Sequence, residues 1–81
     1  MDNQSLLNRI TIIPGLMGGR PTIRGIRFTV NDMLELLGNG VSHQEILEDF
    51  PYLEEEDIRA CLLYAAKKLD HPIIKVQLDA A

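Results

Sequence analysis

Three arginines, Arg20, Arg24 and Arg27, stand within eight positions of the segment GGRPTIRGIRF, residues 18–28, in a chain of net charge −4. A guanidinium is planar, permanently charged and able to donate two parallel hydrogen bonds, which suits phosphate or carboxylate. Arginines at this spacing could grip a phosphate backbone, pair with an acidic protein partner, or lie on the outer face of a small hairpin. The charge is unevenly spread. Residues 1–30 carry four arginines against Asp2 alone, and residues 31–60 carry nine acids against Arg59 alone. Net charge argues against nucleic acid, whereas the first third of the chain argues for it.

Other side chains form weaker constellations. Glu45, Glu48 and Asp49, with Glu54 to Asp57, could be a metal site or a carboxylate pair, but no histidine accompanies them at ligand spacing. They read as a solvated face, with Glu54 to Asp57 stabilising the positive end of a helix dipole. Ser42 beside His43 reads as a helix cap, and His71 has no nucleophile near it in sequence. GLMGG lacks the lysine and hydroxyl of a phosphate loop. Cys61 lies in an apolar stripe and reads as a small core residue. No constellation supports catalysis, a metal or a cofactor, so the expectation is a binding protein rather than an enzyme.

The elements that must position the arginines can be read from periodicity. Eighty-one residues make one domain with a thin core. Residues 1–8 look like a loose start. RITIIP, Arg9 to Pro14, reads as a short strand, and Thr22–Ile23 and Ile26–Phe28 flank Arg24–Gly25 as a small hairpin. Thr29 and Asp32 form a capping box before Val30, Met33, Leu34 and Leu37, which repeat at helical spacing. That helix stops at Gly38-Asn39-Gly40, where Gly40 supplies a left-handed position. Ser42 and Glu45 start a second helix, broken at Phe50-Pro51. A third opens with Glu54 to Asp57, carries Ile58, Cys61, Leu62, Ala65 and Leu69 on one stripe, and is closed by Pro72. Helices of about 8, 7 and 15 residues joined by short connections match a three-helix bundle with helix-turn-helix proportions. Ile74, Val76 and Leu78 alternate with polar residues, so 73–78 reads as a C-terminal strand that must pair within the chain or across a dimer.

Pro14, Gly18-Gly19-Arg20-Pro21, Ile23-Arg24-Gly25-Ile26-Arg27, Val30, Gly40, Ser42, Glu45-Ile46-Leu47, Asp49-Phe50-Pro51, Leu53, Asp57-Ile58-Arg59-Ala60, Leu63 and Tyr64-Ala65 together carry a resemblance. Residues 9 to about 66 resemble the small bacterial and archaeal family called domain of unknown function 433. One position departs from its pattern: Ile26 stands where threonine is usual. The resemblance implies a homeodomain-like or winged-helix-like fold. It also implies a DNA-binding, VapB-type antitoxin encoded beside a PIN-like nuclease toxin.

The resulting expectation is a single α+β, mostly α domain: a short N-terminal β-hairpin, a three-helix homeodomain-like bundle and a C-terminal strand. It is expected to be a homodimer, on the thin core and the unpaired strand at 73–78, and a cytoplasmic antitoxin, since the single Cys61 fits a reducing compartment and the longest apolar run, Ala60 to Ala66, is too short to cross a bilayer. The expected contacts are Arg20, Arg24 and Arg27, with Arg59. Their target is either DNA phosphates or the carboxylate site of the toxin; the bland reading is solvation or pairing with the protein's own acids. Conventional readout by the third helix is disfavoured, because a groove lined by phosphates repels Glu54 to Asp57. An arginine-bearing ribbon is the better DNA contact. The alternative reading is a protein-interaction module that never touches DNA.

Overall fold

Short-range capping fixes most of the helix starts. The computed structural model describes residues 1–70. Its helices are α1 (Asn3–Leu7), α2 (Val30–Gly38), α3 (His43–Asp49) and α4 (Glu55–Leu69). Strands β1 (Ile10–Thr11) and β2 (Thr22–Ile23) form a two-stranded antiparallel sheet, with Ile10 opposite Ile23 and Thr11 opposite Thr22. The fold is α+β and rich in helix. Thr29 accepts from the Asp32 amide at 2.9 Å and Asp32 accepts from the Thr29 amide at 3.1 Å, the reciprocal bonds that open α2. Ser42 and Glu45 do the same for α3. Gly40 takes φ +85° after α2, the left-handed conformation that glycine adopts without penalty.

Three N-terminal expectations change. Residues 1–8 are not a loose start: Asp2 accepts from the Ser5 amide at 2.7 Å and caps α1, whose Leu6 is fully buried. The strand expected over Arg9 to Pro14 is only two residues long, and Ile12 and Ile13 are exposed. The hairpin around Arg24–Gly25 is real but asymmetric. Its turn is closed by Ile26 N–H to the Ile23 carbonyl at 2.9 Å, yet its return limb pairs only through Ile23 with Phe28 and a bridge from Thr29 to Thr22. The C-terminal strand expected at 73–78, and His71, lie outside the described residues.

The core gathers around α4, against which α1, α2, α3 and β1 all pack. Ile23, Phe28, Val30, Met33, Ile46, Leu53, Ile58 and Cys61 form one buried cluster. Phe28 and Phe50 meet edge to face with ring centres 4.9 Å apart. This geometry is worth about 0.5–1.5 kcal/mol beyond burial. Cys61 is buried as expected, and desolvation pushes its thiol pKa up to about 12. No described helix is long and apolar enough to cross a membrane.

Candidate functional site

The basic segment folds as a turn tied to the start of α4. Both central residues of the turn have positive φ, +47° at Arg24 and +72° at Gly25. This is the geometry of a type I′ turn, whose twist suits a tight hairpin. Gly25 adopts it freely; Arg24 does so at a cost of roughly 1 kcal/mol. The turn is also tied to β1. Arg24 N–H donates to the Arg9 carbonyl at 2.7 Å, and Gly25 N–H donates to the Thr11 hydroxyl at 3.0 Å. Ile26, the position where threonine is usual, closes the turn through its backbone and packs its side chain on the core. A hydroxyl there is not required to shape this turn.

Arg24 does not point to solvent as part of a free patch. Its Nε donates to Asp57 Oδ1 at 3.0 Å and its Nη2 to Asp57 Oδ2 at 2.7 Å, a two-pronged pairing. The same Nη2 reaches the Tyr52 carbonyl at 2.9 Å. Arg9 completes the arrangement from β1's end, with Nη1 donating to Asp57 Oδ1 at 3.0 Å and to Glu54 Oε1 at 2.7 Å. The Glu54 amide donates to Asp57 Oδ2 at 2.8 Å. Asp57 therefore receives four hydrogen bonds, and its side chain is 0% exposed. Burial pushes its carboxyl pKa up, but the bonds from Arg24, the Glu54 amide and Arg9 prevail and hold it below the ordinary value. These bonds also raise both arginine pKa values, through the Glu54 and Asp57 bonds for Arg9 and the Asp57 bond for Arg24.

This corrects the reading of Glu54 to Asp57 as a solvated acidic run at Asp57 alone; Glu54 and Glu55 stay exposed. Asp57 is core, Glu54 is paired with Arg9, and Glu55 is bonded to His43 at 2.9 Å. Sequence reasoning missed both Asp57 and Arg9 as members of one cluster. The local signal was the Glu54-x-x-Asp57 spacing, which places a carboxylate back on its own helix start. The long-range signal was absent, because the arginines lie 33 and 48 residues away in the chain.

The other predicted residues remain outward. Arg20 is exposed, its Nε bonded to the Met17 carbonyl at 3.1 Å. Arg27 is exposed and borders an open cleft of about 440 Å³ walled by Phe28, Phe50 and Tyr52. Asp32 and Glu35 also border this cleft, and Asp32 is already bonded to Thr29. Arg59 is exposed on α4, away from the buried stripe of Ile58 and Cys61. Among the described residues, Arg20, Arg27 and Arg59 make no ion pair. No group of three or more His, Cys, Asp or Glu side chains among the described residues could hold a metal ion. The structure thus brings Arg24 together with Arg9, and leaves Arg20 and Arg27, which flank the anchored turn in sequence, exposed.

Comparisons with known proteins align with this region. Residues 10–65 match the family model of DUF433, described as a protein of unknown function. An uncharacterized protein, y4eO, of Sinorhizobium fredii (strain NBRC 101917 / NGR234) is 38% identical over 56 residues. The match covers 69% of this chain and 25% of y4eO, so the chain spans about a quarter of that relative's length. The crystal structure of a DUF433 member from Anabaena variabilis ATCC 29413 superposes with a TM-score of 0.71 at 34% identity. It covers 79% of this chain and 63% of the neighbour. The matched region runs from β1 through most of α4 and contains every residue of the Arg24–Asp57 anchor except Arg9 at its border; the chain belongs to the DUF433 family.

Proposed function

We propose that the protein is an antitoxin-like binding module that presents Arg20 and Arg27 to an anionic partner, the carboxylate-lined site of a PIN-like nuclease. The observation that carries this reading is the division of labour within one short segment. Arg24 is consumed in anchoring the turn to Asp57, while its two neighbours stay exposed and without an acid partner among the described residues. An acidic chain that keeps two arginines exposed, Arg20 ahead of β2 and Arg27 just after the pinned turn, has a surface suited to carboxylate or phosphate. The experiment is co-expression with a PIN-like nuclease. Joint purification and loss of nuclease activity support the reading, and its abolition by Arg20→Ala/Arg27→Ala assigns the surface. Separate elution of the two proteins refutes it.

A second reading, promoter binding, is favoured by one specific observation. Helices α3 and α4 follow one another across residues 50–54 in the order of a homeodomain-like helix-turn-helix, and α4 is the recognition helix in that reading. Three of the four acids at its start, Glu54, Glu55 and Asp57, are hydrogen-bonded to Arg9, His43 and Arg24 within the molecule. Their repulsion of phosphate is smaller than a count of acids suggests. In this reading Arg59 joins Arg20 and Arg27 as a phosphate contact. A mobility shift of the promoter fragment that weakens with salt, and weakens further in Arg27→Ala, supports it. An unshifted promoter together with nuclease binding leaves the first reading alone.

A further inference from the structure

The cleft beside Arg27 holds more than that one arginine. Part of its lining is a face of α2, where Asp32, Glu35 and Leu36 stand at i, i+3 and i+4. Another part is aromatic, Phe50 and Tyr52 from the connection between α3 and α4. The rings run from core to surface. Phe28 is buried, Phe50 is half-buried edge to face against it, and Tyr52 is 54% exposed with its ring centre 6.3 Å from that of Phe50. Tyr52 is outward but held. Its carbonyl accepts from Arg24 Nη2 at 2.9 Å, so the anchor that pins the turn also pins the backbone beneath this ring. Asp32 is likewise held by the Thr29 amide. A lining set before a ligand arrives lowers the entropic cost of binding.

The same cleft carries charge of both signs. Arg27, Asp32 and Glu35 all border it, yet Arg27 pairs with neither acid, and Glu35 makes no ion pair among the described residues. A phosphate here meets two carboxylates besides Arg27, and a purely cationic group meets Arg27 itself. A ligand with one charge of each sign about an apolar group satisfies the whole lining. The volume of about 440 Å³ falls in the range of sites for drug-sized ligands, roughly 300–1,000 Å³, which suits a few residues of peptide. We infer that this cleft is a peptide-recognition site. Its occupant is a segment of a protein partner in which an apolar side chain stands between an acidic and a basic residue. Arg27 takes the acid, Glu35 takes the base, and Leu36, Phe50 and Tyr52 receive the apolar side chain. This goes beyond the nuclease reading and does not depend on it, because the cleft is tested with peptides alone.

The test titrates the isotope-labelled full chain with two capped tripeptides, acetyl-Glu-Phe-Lys-amide and acetyl-Lys-Phe-Glu-amide, and follows amide chemical shifts. The pair presents the charges in both chain directions. At least one is expected to bind with a Kd on the order of 1 mM, with shifts confined to residues bordering the cleft. Acetyl-Glu-Gly-Lys-amide and its reverse are expected to bind at least about tenfold more weakly, and Tyr52→Ala to weaken the better probe by a similar factor. Arg27→Ala is expected to weaken it by up to about fivefold, the scale of an exposed ion pair. Glu35→Lys is expected to reverse the charge preference, so that acetyl-Glu-Phe-Glu-amide becomes the better ligand. Arg27, Glu35 and Tyr52 are exposed, so these variants keep the fold, and a reversed preference is not a result that misfolding produces. Silence of both phenylalanine probes overturns the inference, as does equal binding of the glycine probes or an unchanged preference in Glu35→Lys. Adenosine monophosphate moving the same amides while neither peptide does assigns the cleft to a phosphate ligand and also overturns it.

Discussion

Arg24→Ala and Arg27→Ala remove the same side chain three positions apart, and the structure predicts very different consequences. Arg24 supplies two of the four hydrogen bonds on a carboxylate that is 0% exposed. Removing one partner of a buried pair costs about 3–5 kcal/mol. The Arg24 side chain is itself 36% exposed and Arg9 continues to hold Asp57, so the lower end, about 3 kcal/mol, applies. At roughly 0.05–0.15 kcal/mol per residue a domain of this size has about 4–12 kcal/mol in total, so the loss is a large fraction. It corresponds to a fall in Tm of roughly 12–24 °C. Arg27→Ala removes an exposed side chain with no ion pair among the described residues, and its cost stays within about 0.5 kcal/mol. The assay is urea unfolding followed by circular dichroism, with Asp57→Ala and Arg24→Ala/Asp57→Ala completing a double-mutant cycle. The cycle should return a coupling of about 1–3 kcal/mol between the two residues. Equal midpoints for Arg24→Ala and Arg27→Ala, or a coupling near zero, would refute the assignment of Arg24 as the anchor.

Further expectations follow from the same packing. Asp57 has a depressed pKa, so its stabilising contribution is present above the ordinary carboxyl range and is lost as pH falls through the folded value. Acid unfolding of the parent should therefore be steeper than that of Asp57→Asn when stability is measured from pH 5 downward. The Cys61 thiol is raised from 9.0 to about 12, so the unfolded chain loses this proton first. Stability should decline between those values by up to about 1.4 kcal/mol per pH unit. Cys61→Ala should show a flatter alkaline limb than the parent in the same titration. Thr29 is buried and caps α2 from both sides of its box, so Thr29→Ala should cost about 1–2 kcal/mol, more than the exposed cap replacement Ser42→Ala, in thermal unfolding.

The parts of this fold that rest on neighbours in sequence were legible there. Thr29 with Asp32 and Ser42 with Glu45 meet across three residues, and both capping boxes formed as read. The buried face of α4 through Ile58 and Cys61 followed from helical spacing, as did Met33 in α2. What escaped was decided by distant partners. Asp57 looked like the last of four acids at a helix start. Its burial is tolerable only because Arg9 and Arg24 converge on it from a sheet that periodicity could not place in space. The α1 helix escaped for a different reason: five residues with a single Asp2 cap give a weak periodic signal, and its stability comes from docking on α4. Within the arginine segment, sequence identified the residues but not their directions. Direction was set by the positive φ of Arg24, which turns that one guanidinium back over the start of α4.

Salt dependence of partner binding separates the anchored arginine from the outward ones most directly. The proposed partner, a PIN-like nuclease, is titrated against the parent, Arg20→Ala, Arg27→Ala and the charge-neutral double variant Arg24→Ala/Asp57→Ala, at a temperature where all four are folded. Arg20→Ala and Arg27→Ala are predicted to weaken binding and to flatten the dependence of log Kd on log salt. The double variant is predicted to keep the parent's slope, because the guanidinium it removes faces Asp57 and not the partner. A slope lost in the double variant and kept in Arg27→Ala would contradict this account and place Arg24 at the binding surface.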